Sequence, residues 1–310
     1  MQILNPADGT LLREIAEDDA KSVAGKYARA RAAQPAWAAV PLQDRLGAIE
    51  KFKGLVEKRK GELAQILTRE TGKPVSQSRN ELNALSGRID FFLNSVKSAL
   101  EAETVLDDKG MREQITHEPL GVVANVSAWN YPYFVGSNVF VSALLAGNAV
   151  LYKPSEFAAL TGLAIGEMLH AAGVPPDVFC VLIGGGATGS ALVDQPVDGV
   201  FFTGSFATGA RIAAACAPRM VKLQLELGGK DPTYVCEDAD VKTAAESLAD
   251  GAMYNAGQSC CSVERIYVHE RSYDKFVDAF AATVKGFKGG DPMDDSTYLG
   301  PLARAPQLAV

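Results

Sequence analysis

Two adjacent cysteines, Cys260 and Cys261, follow a Gly-Gln pair in the stretch Asn255-Ala256-Gly257-Gln258-Ser259-Cys260-Cys261-Ser262. An amphipathic segment over 240–254 precedes it, and a strand-like run over 265–268 follows. A thiol at such a junction can face a cleft with its backbone N–H left to donate. A free cysteine ionises near a pH of about 8.5, so a nucleophilic one needs a helix end, a cation or a nearby base. The pair equally suits two small buried hydrophobes, the usual place of a free thiol.

Other residues with chemistry to offer sit at turns of the chain. Glu226 stands inside Leu225-Glu226-Leu227-Gly228-Gly229. A carboxylate in an apolar strand is expected to be buried, which raises its pKa toward neutrality and suits a general base. A partnered structural glutamate is the other reading. Asn130, in Trp129-Asn130-Tyr131-Pro132, carries amide donors suited to an oxyanion or to capping a turn. Lys153-Pro154-Ser155-Glu156 ends a strand-like run, where Lys153 and Glu156 can hold a sugar's hydroxyls or simply meet water. Phe202-Thr203-Gly204-Ser205 leads into a helix whose first N–H groups suit an anion, or an ordinary N-cap at Ser205. Residues 184–189 spell GxGxxG between a strand and a helix, but no acidic ribose partner follows at the usual distance.

The elements that must position these groups alternate. Strands are predicted over 122–126, 149–152, 178–183, 200–202 and 233–235. Helices are predicted over 158–172, 187–194 and 207–216. This pattern gives an α/β fold, a Rossmann-like doubly wound parallel sheet covered on both faces, with ligands at the carboxyl ends of its strands. Earlier come a turn at 5–9, a helix from Asp18-Asp19 to about residue 33, a helical stretch through Leu46 and Leu67 broken near Gly61, and a helix over 75–100. The turn residues 107–110 and the alternation after them predict a hairpin.

The chain has 310 residues, a net charge of −7 and 47% hydrophobic residues. The charge argues against nucleic acid and anionic membranes as main partners. Five cysteines without a CxxC pair fit reduced thiols in the cytoplasm. The three histidines are scattered and predict no metal site. No secretory signal is expected, and the apolar stretch 139–152 is too short to cross a bilayer.

In this order, the Trp-Asn-Tyr-Pro, Lys-Pro-Ser-Glu, Phe-Thr-Gly-Ser, Leu-Glu-Leu-Gly-Gly and Gly-Gln-Ser-Cys motifs resemble the signature series of the NAD(P)-dependent aldehyde dehydrogenase superfamily, over essentially the whole chain. The resemblance implies two domains: 1–225 binding NAD, with the hairpin near 104–121 as an oligomerisation arm, and 226–310 as part of a second, incomplete α/β catalytic domain. It implies that Cys260 is the nucleophile, that Asn130 with the Cys260 N–H forms the oxyanion hole, and that Glu226 is the general base. Lys153 and Glu156 resemble the residues that hold the adenosine ribose, with Ser155 beside them. Trp129 and Ser205 resemble pyrophosphate contacts. Gly204, Leu227 and Gly228 lie in matching cofactor-binding segments. The run 184–189 falls on the adenine side, and its GxGxxG is a coincidence of spelling.

The implied reaction oxidises an aldehyde to a carboxylic acid through a thiohemiacetal and a thioester on Cys260. Relatives that pass the acyl group to coenzyme A generally lack the glutamate, so Glu226 favours hydrolysis. The Glu156 carboxylate favours NAD over NADP, a preference that Ser155 and Lys153 soften. Where many relatives carry a basic residue after the oxyanion asparagine, Asn138 and Val139 stand here. The family's later Glu-x-Phe-Gly-Pro segment and its carboxy-terminal pairing strand have no counterpart before Val310. The cofactor half is therefore expected to be complete. Nicotinamide placement is expected to suffer, at a cost of up to about a hundredfold in rate, and apolar surface to be uncovered. An inactive dinucleotide-binding relative and a CoA-acylating dehydrogenase are the rival readings.

Overall fold

The computed structural model describes residues 1–309. The Asn5–Gly9 turn joins β1 (Gln2–Leu4) to β2 (Leu11–Glu14), which pair antiparallel. Asp19 caps α1 (Ala20–Ala38) by accepting the Ser22 N–H at 2.7 Å. This helix runs past its expected stop and carries Pro35 inside it. Tertiary bonds account for the extension: Gln34 and Trp37 donate to the carbonyls of Gly147 and Leu144, each at 3.0 Å. α2 (Leu42–Lys58) and α3 (Lys60–Thr71) divide at Arg59, and α4 (Val75–Leu100) spans the range its pattern predicts. β3 (Glu103–Asp108) and β4 (Met111–Ile115) form the expected hairpin. Lys109 and Gly110, with φ of 50° and 83°, make its two-residue turn.

The first four strands of the alternating pattern share one sheet, but the fifth, expected over 233–235, falls outside it and its place is taken by 222–227. β5 (Val122–Val126), β6 (Ala149–Lys153), β7 (Phe179–Val181), β8 (Gly199–Gly204) and β9 (Lys222–Leu227) form one sheet in the order β7-β6-β5-β8-β9. β5 runs parallel to β6 and β8, and β6 parallel to β7. The connecting helices are α5 (Pro132–Leu145), α6 (Ala159–Ala171), α7 (Gly186–Val193) and α8 (Phe206–Cys216). α5 is not predicted from the sequence; its second half lies in the apolar stretch 139–152. Every residue of β5 and β6 is buried. Helices α5, α6 and α2 pack together against the sheet, and so do α1 and α7. Phe140 of α5 anchors the core, with ring centroids 6.1 Å from Phe52, 5.6 Å from Tyr152 and 5.4 Å from Phe179. Strand order reverses between β5 and β8, and such a reversal opens a crevice at the carboxyl ends of the strands.

The remaining elements are β10 (Asp231–Val235), α9 (Val241–Met253), β11 (Val263–Val268) and α10 (Tyr273–Gly286). β10 and β11 pair in parallel. Val235, Ala245 and Phe276 form their core, with Ile266, Val268 and Phe280 packed around it. The chain divides into two compact units. One comprises Met1, 15–63 and 81–226; the other comprises 2–14, 64–80 and 227–310. Two segments that precede residue 226 therefore belong with the later part of the chain.

Candidate active site

In the first unit the predicted residues collect at the carboxyl ends of adjacent strands. Trp129 and Asn130 occupy the loop between β5 and α5. The Asn130 side-chain oxygen accepts the Tyr131 N–H at 3.1 Å, which orients its amide. The loop is fixed from behind by Glu81, a buried residue of α4. Its carboxylate accepts the N–H groups of Tyr133 at 2.8 Å and Phe134 at 3.2 Å, in the first turn of α5.

Lys153 ends β6 with its side chain only 6% exposed, and its ammonium lies 3.7 Å from the Glu156 carboxylate. Burial pushes the Lys153 pKa down, and Glu156 pulls it partly back. Ser155 caps the short turn that follows, accepting the Phe157 N–H at 3.3 Å and donating to Glu156 at 3.4 Å. Beyond β8, Gly204 leads to exposed Ser205. The Ser205 hydroxyl accepts the Thr208 N–H at 3.3 Å and so caps α8. The first turn of that helix presents N–H groups to the crevice.

The GxGxxG run serves internal packing. Gly184 has φ of 153°, and a Cβ there would lie 2.0 Å from the Thr188 hydroxyl. That hydroxyl donates to the Asp18 carbonyl at 2.8 Å, while the Gly185 N–H points at the Glu17 carboxylate, 3.4 Å away. An acidic residue thus already faces the start of α7. Farther along, the Lys153 stem passes over Gly189, where an added Cβ would touch it at 3.6 Å.

Glu226 departs from its expected setting. It is exposed, because β9 is an edge strand along which Lys222, Gln224 and Glu226 alternate with half-buried neighbours. Its one described side-chain bond is from Gln224, at 3.5 Å. The buried setting expected from its apolar neighbours is not the one this strand gives it. Leu227 is half-buried at the strand's end and Gly228 is exposed.

In the second unit Cys260 lies in an exposed turn between α9 and β11. The backbone before it is left-handed for three residues, with φ of 53° at Asn255, 55° at Ala256 and 74° at Gly257. Asn255 is 2% exposed, and its side chain donates to the Gln258 carbonyl at 3.2 Å. The Gln258 N–H and side-chain amide both return to the Asn255 carbonyl at 3.0 Å. Its other amide atom accepts the Ala303 N–H at 2.9 Å. After the turn, the Ser262 hydroxyl reaches the last carbonyls of α9, 3.1 Å from Ala252 and 3.3 Å from Gly251. A Cβ on Gly229 would lie 3.7 Å from the Cys260 carbonyl oxygen, so the 228–229 step runs beside the thiol turn.

Partial burial and the adjacent Cys261 push the Cys260 thiol above its ordinary pKa. The neighbouring end of α9 is a helix C-terminus, whose partial negative charge offers a thiolate no support. The resting surroundings thus disfavour the thiolate, and a nucleophilic thiol here calls for a cation or a nearby base. Cys261 shares a 3.3 Å contact with the Ser259 hydroxyl. Cys180 and Cys216 are buried. No group of His, Cys, Asp and Glu among the described residues could hold a metal ion, and no described helix is long and apolar enough to cross a membrane.

Sequence reasoning missed Glu81 and Gln77, the latter an acceptor for the Asn255 N–H at 2.9 Å. A signal was present. Ser78, Leu82, Leu85 and Ile89 form the buried stripe of α4, and Gln77 and Glu81 flank it as buried polar side chains.

The model of the aldehyde dehydrogenase family matches residues 1–310. A Mycolicibacterium smegmatis protein provisionally named succinate-semialdehyde dehydrogenase (NADP+) is 36% identical over 309 residues, which span 97% of this chain and 58% of that protein. The 3,6-anhydro-alpha-L-galactose dehydrogenase of Streptomyces coelicolor is 35% identical over 304 residues, 97% of this chain and 62% of that protein. The crystal structure of PnpE in complex with nicotinamide adenine dinucleotide superposes with a TM-score of 0.95 at 35% identity, over 99% of this chain and 63% of that one. The chain belongs to the aldehyde dehydrogenase family. It spans about three fifths of the length of the curated relatives it matches.

Proposed function

We propose that the protein of this chain oxidises an aldehyde to a carboxylic acid with a nicotinamide dinucleotide, through a covalent intermediate on Cys260. The observation that carries this reading is the Cys260 turn itself: an exposed thiol, braced on both sides by partly buried polar bonds, in a chain matched to the family over residues 1–310.

The residues present fit the dinucleotide. The Lys153–Glu156 pair offers a donor and an acceptor to a ribose at the carboxyl end of β6, and the capped start of α8, reached through Gly204 and Ser205, suits a pyrophosphate with Trp129 at its side. Leu227 and Gly228 complete that set. When bound, the oxidised cofactor supplies a hydride acceptor. The protein's own part begins with the Cys260 thiolate attacking the aldehyde carbonyl. Asn130 and the Cys260 N–H stabilise the resulting oxyanion, and removing one such donor typically costs about 3 kcal/mol. Oxidation of that adduct leaves a thioester on Cys260. Glu226 then takes a proton from water, whose attack releases the acid and the free thiol. Exposed Glu226 reaches this task by access to water, not by desolvation.

Of the relatives, the Mycolicibacterium smegmatis protein is named for NADP+ and the PnpE structure holds nicotinamide adenine dinucleotide. Glu156, whose charge repels a 2′-phosphate, favours NAD here. Reduced, exposed thiols fit a cytoplasmic setting. The exposed Val105, Met111 and Ile115 on the hairpin fit pairing with a second copy of the chain.

The test is reduced-cofactor formation from a short aliphatic aldehyde, with Cys260→Ala alongside. Turnover that vanishes in the variant supports the reading. Turnover that persists in the variant overturns it.

A further inference from the structure

The strained backbone before Cys260 is tied to a residue far away in the chain. Two of the three left-handed residues, Asn255 and Ala256, carry a Cβ. Such backbone persists only where its surroundings fix it. Gln77, in the first turn of α4, is 3% exposed. Its side-chain oxygen accepts the Asn255 N–H at 2.9 Å, and its amide nitrogen donates to the Tyr298 carbonyl at 2.9 Å. A primary amide carries an acceptor and donors on one planar head, which is what this bridge requires. Its far end is firm: the Tyr298 hydroxyl donates to the Asp250 carboxylate at 2.5 Å, and the ring stacks on Phe287 at 4.0 Å. Asn255 in turn bonds to Gln258, the last residue but one before the thiol.

We propose that Gln77 is a positioning residue for Cys260, clamping the left-handed 255–257 stretch to the Tyr298 segment so that the thiol turn keeps one geometry. The proposal rests on the reading of Cys260 as nucleophile, yet the clamp predicts a property of the thiol that needs no turnover. Releasing it lets the turn relax toward ordinary backbone, so that the exposed Cys260 thiol meets reagent in more than one geometry.

The experiment is iodoacetamide labelling of the cofactor-free chain at neutral pH, quantified at each cysteine by peptide mass spectrometry, with exposed Cys236 as internal control. Gln77→Asn is one methylene too short to span both partners. It is expected to raise Cys260 labelling about fivefold and to leave Cys236 unchanged. Gln77→Glu, when protonated, restores an acceptor and a donor, so its labelling relative to Cys236 matches the parent below neutral pH and exceeds it above. Ala256→Gly makes the left-handed stretch less costly. Added to Gln77→Asn, it is expected to bring Cys260 labelling within about twofold of the parent. If Gln77→Asn does not fold, the pH dependence of Gln77→Glu decides the same question. Labelling of Cys260 that stays at the parent rate in a folded but less stable Gln77→Asn protein, or that rises equally at Cys236, overturns the proposal. Absence of aldehyde turnover in the parent overturns the dehydrogenase reading alone.

Discussion

Glu81 places its buried carboxylate against the Tyr133 N–H at 2.8 Å, across 52 positions of chain, and so ties α4 to the helix that follows the Asn130 loop. Charge and helix start are complementary, since the first N–H groups of a helix lack internal partners and carry partial positive charge.

Glu81→Ala removes the acceptor of both Tyr133 and Phe134 inside the protein. A loss of about 3 kcal/mol in unfolding free energy is expected, with Glu81→Gln recovering part of it. Urea denaturation of the three proteins checks the order. Equal stability would show that the two N–H groups find other acceptors.

Glu156→Ser removes the carboxylate that faces the proposed ribose site beside Lys153. NADP affinity relative to NAD is expected to rise by about tenfold or more, measured by calorimetric titration of each cofactor. Lys153→Met is expected to weaken both cofactors, because it removes the donor and leaves Glu156 without its 3.7 Å partner.

The Cys260 thiol is held above its ordinary pKa by partial burial and by Cys261. The alkylation rate of the cofactor-free protein is therefore expected to rise with pH through a midpoint above the model-thiol value of about 8.5. Cys180 and Cys216, both buried, are expected to stay unmodified in the native protein.

Burial pushes the Cys180 thiol up to about 11, with Asp177 adding to the shift. An unfolded chain ionises there near pH of about 8.5. Between those two values the unfolded state has lost its proton and the native state keeps it. Stability from this site is full below the lower value and is lost as pH rises through the upper one, by about 3 kcal/mol in all. Cys180→Ala is expected to flatten that alkaline decline in unfolding free energy.

Local periodicity made much of the frame readable. The bounds of α4 and β5 follow directly from apolar spacing, as does the hairpin from its turn residues. The left-handed turns and clamps around the cysteine were not readable, because they rest on partners remote in sequence, such as Gln77 and Asn255, 178 positions apart. Apolar neighbours made Glu226 read as a buried group, but only sheet order tells that β9 lies at an edge. The helix expected to end near residue 33 runs on to Ala38, where Gln34 and Trp37 bond to the 144–147 turn. In each case the sequence carries the local preference, and a distant partner decides whether it prevails.

The central claim is that Cys260 carries the acyl group. Its most direct test is intact and peptide mass spectrometry of the Glu226→Gln protein, quenched after mixing with an aldehyde and NAD. The expected result is an acyl adduct on Cys260 that requires both reagents and decays faster when Glu226 is restored. An adduct on Cys261, or none on Cys260 in a folded protein that binds NAD, would contradict the account.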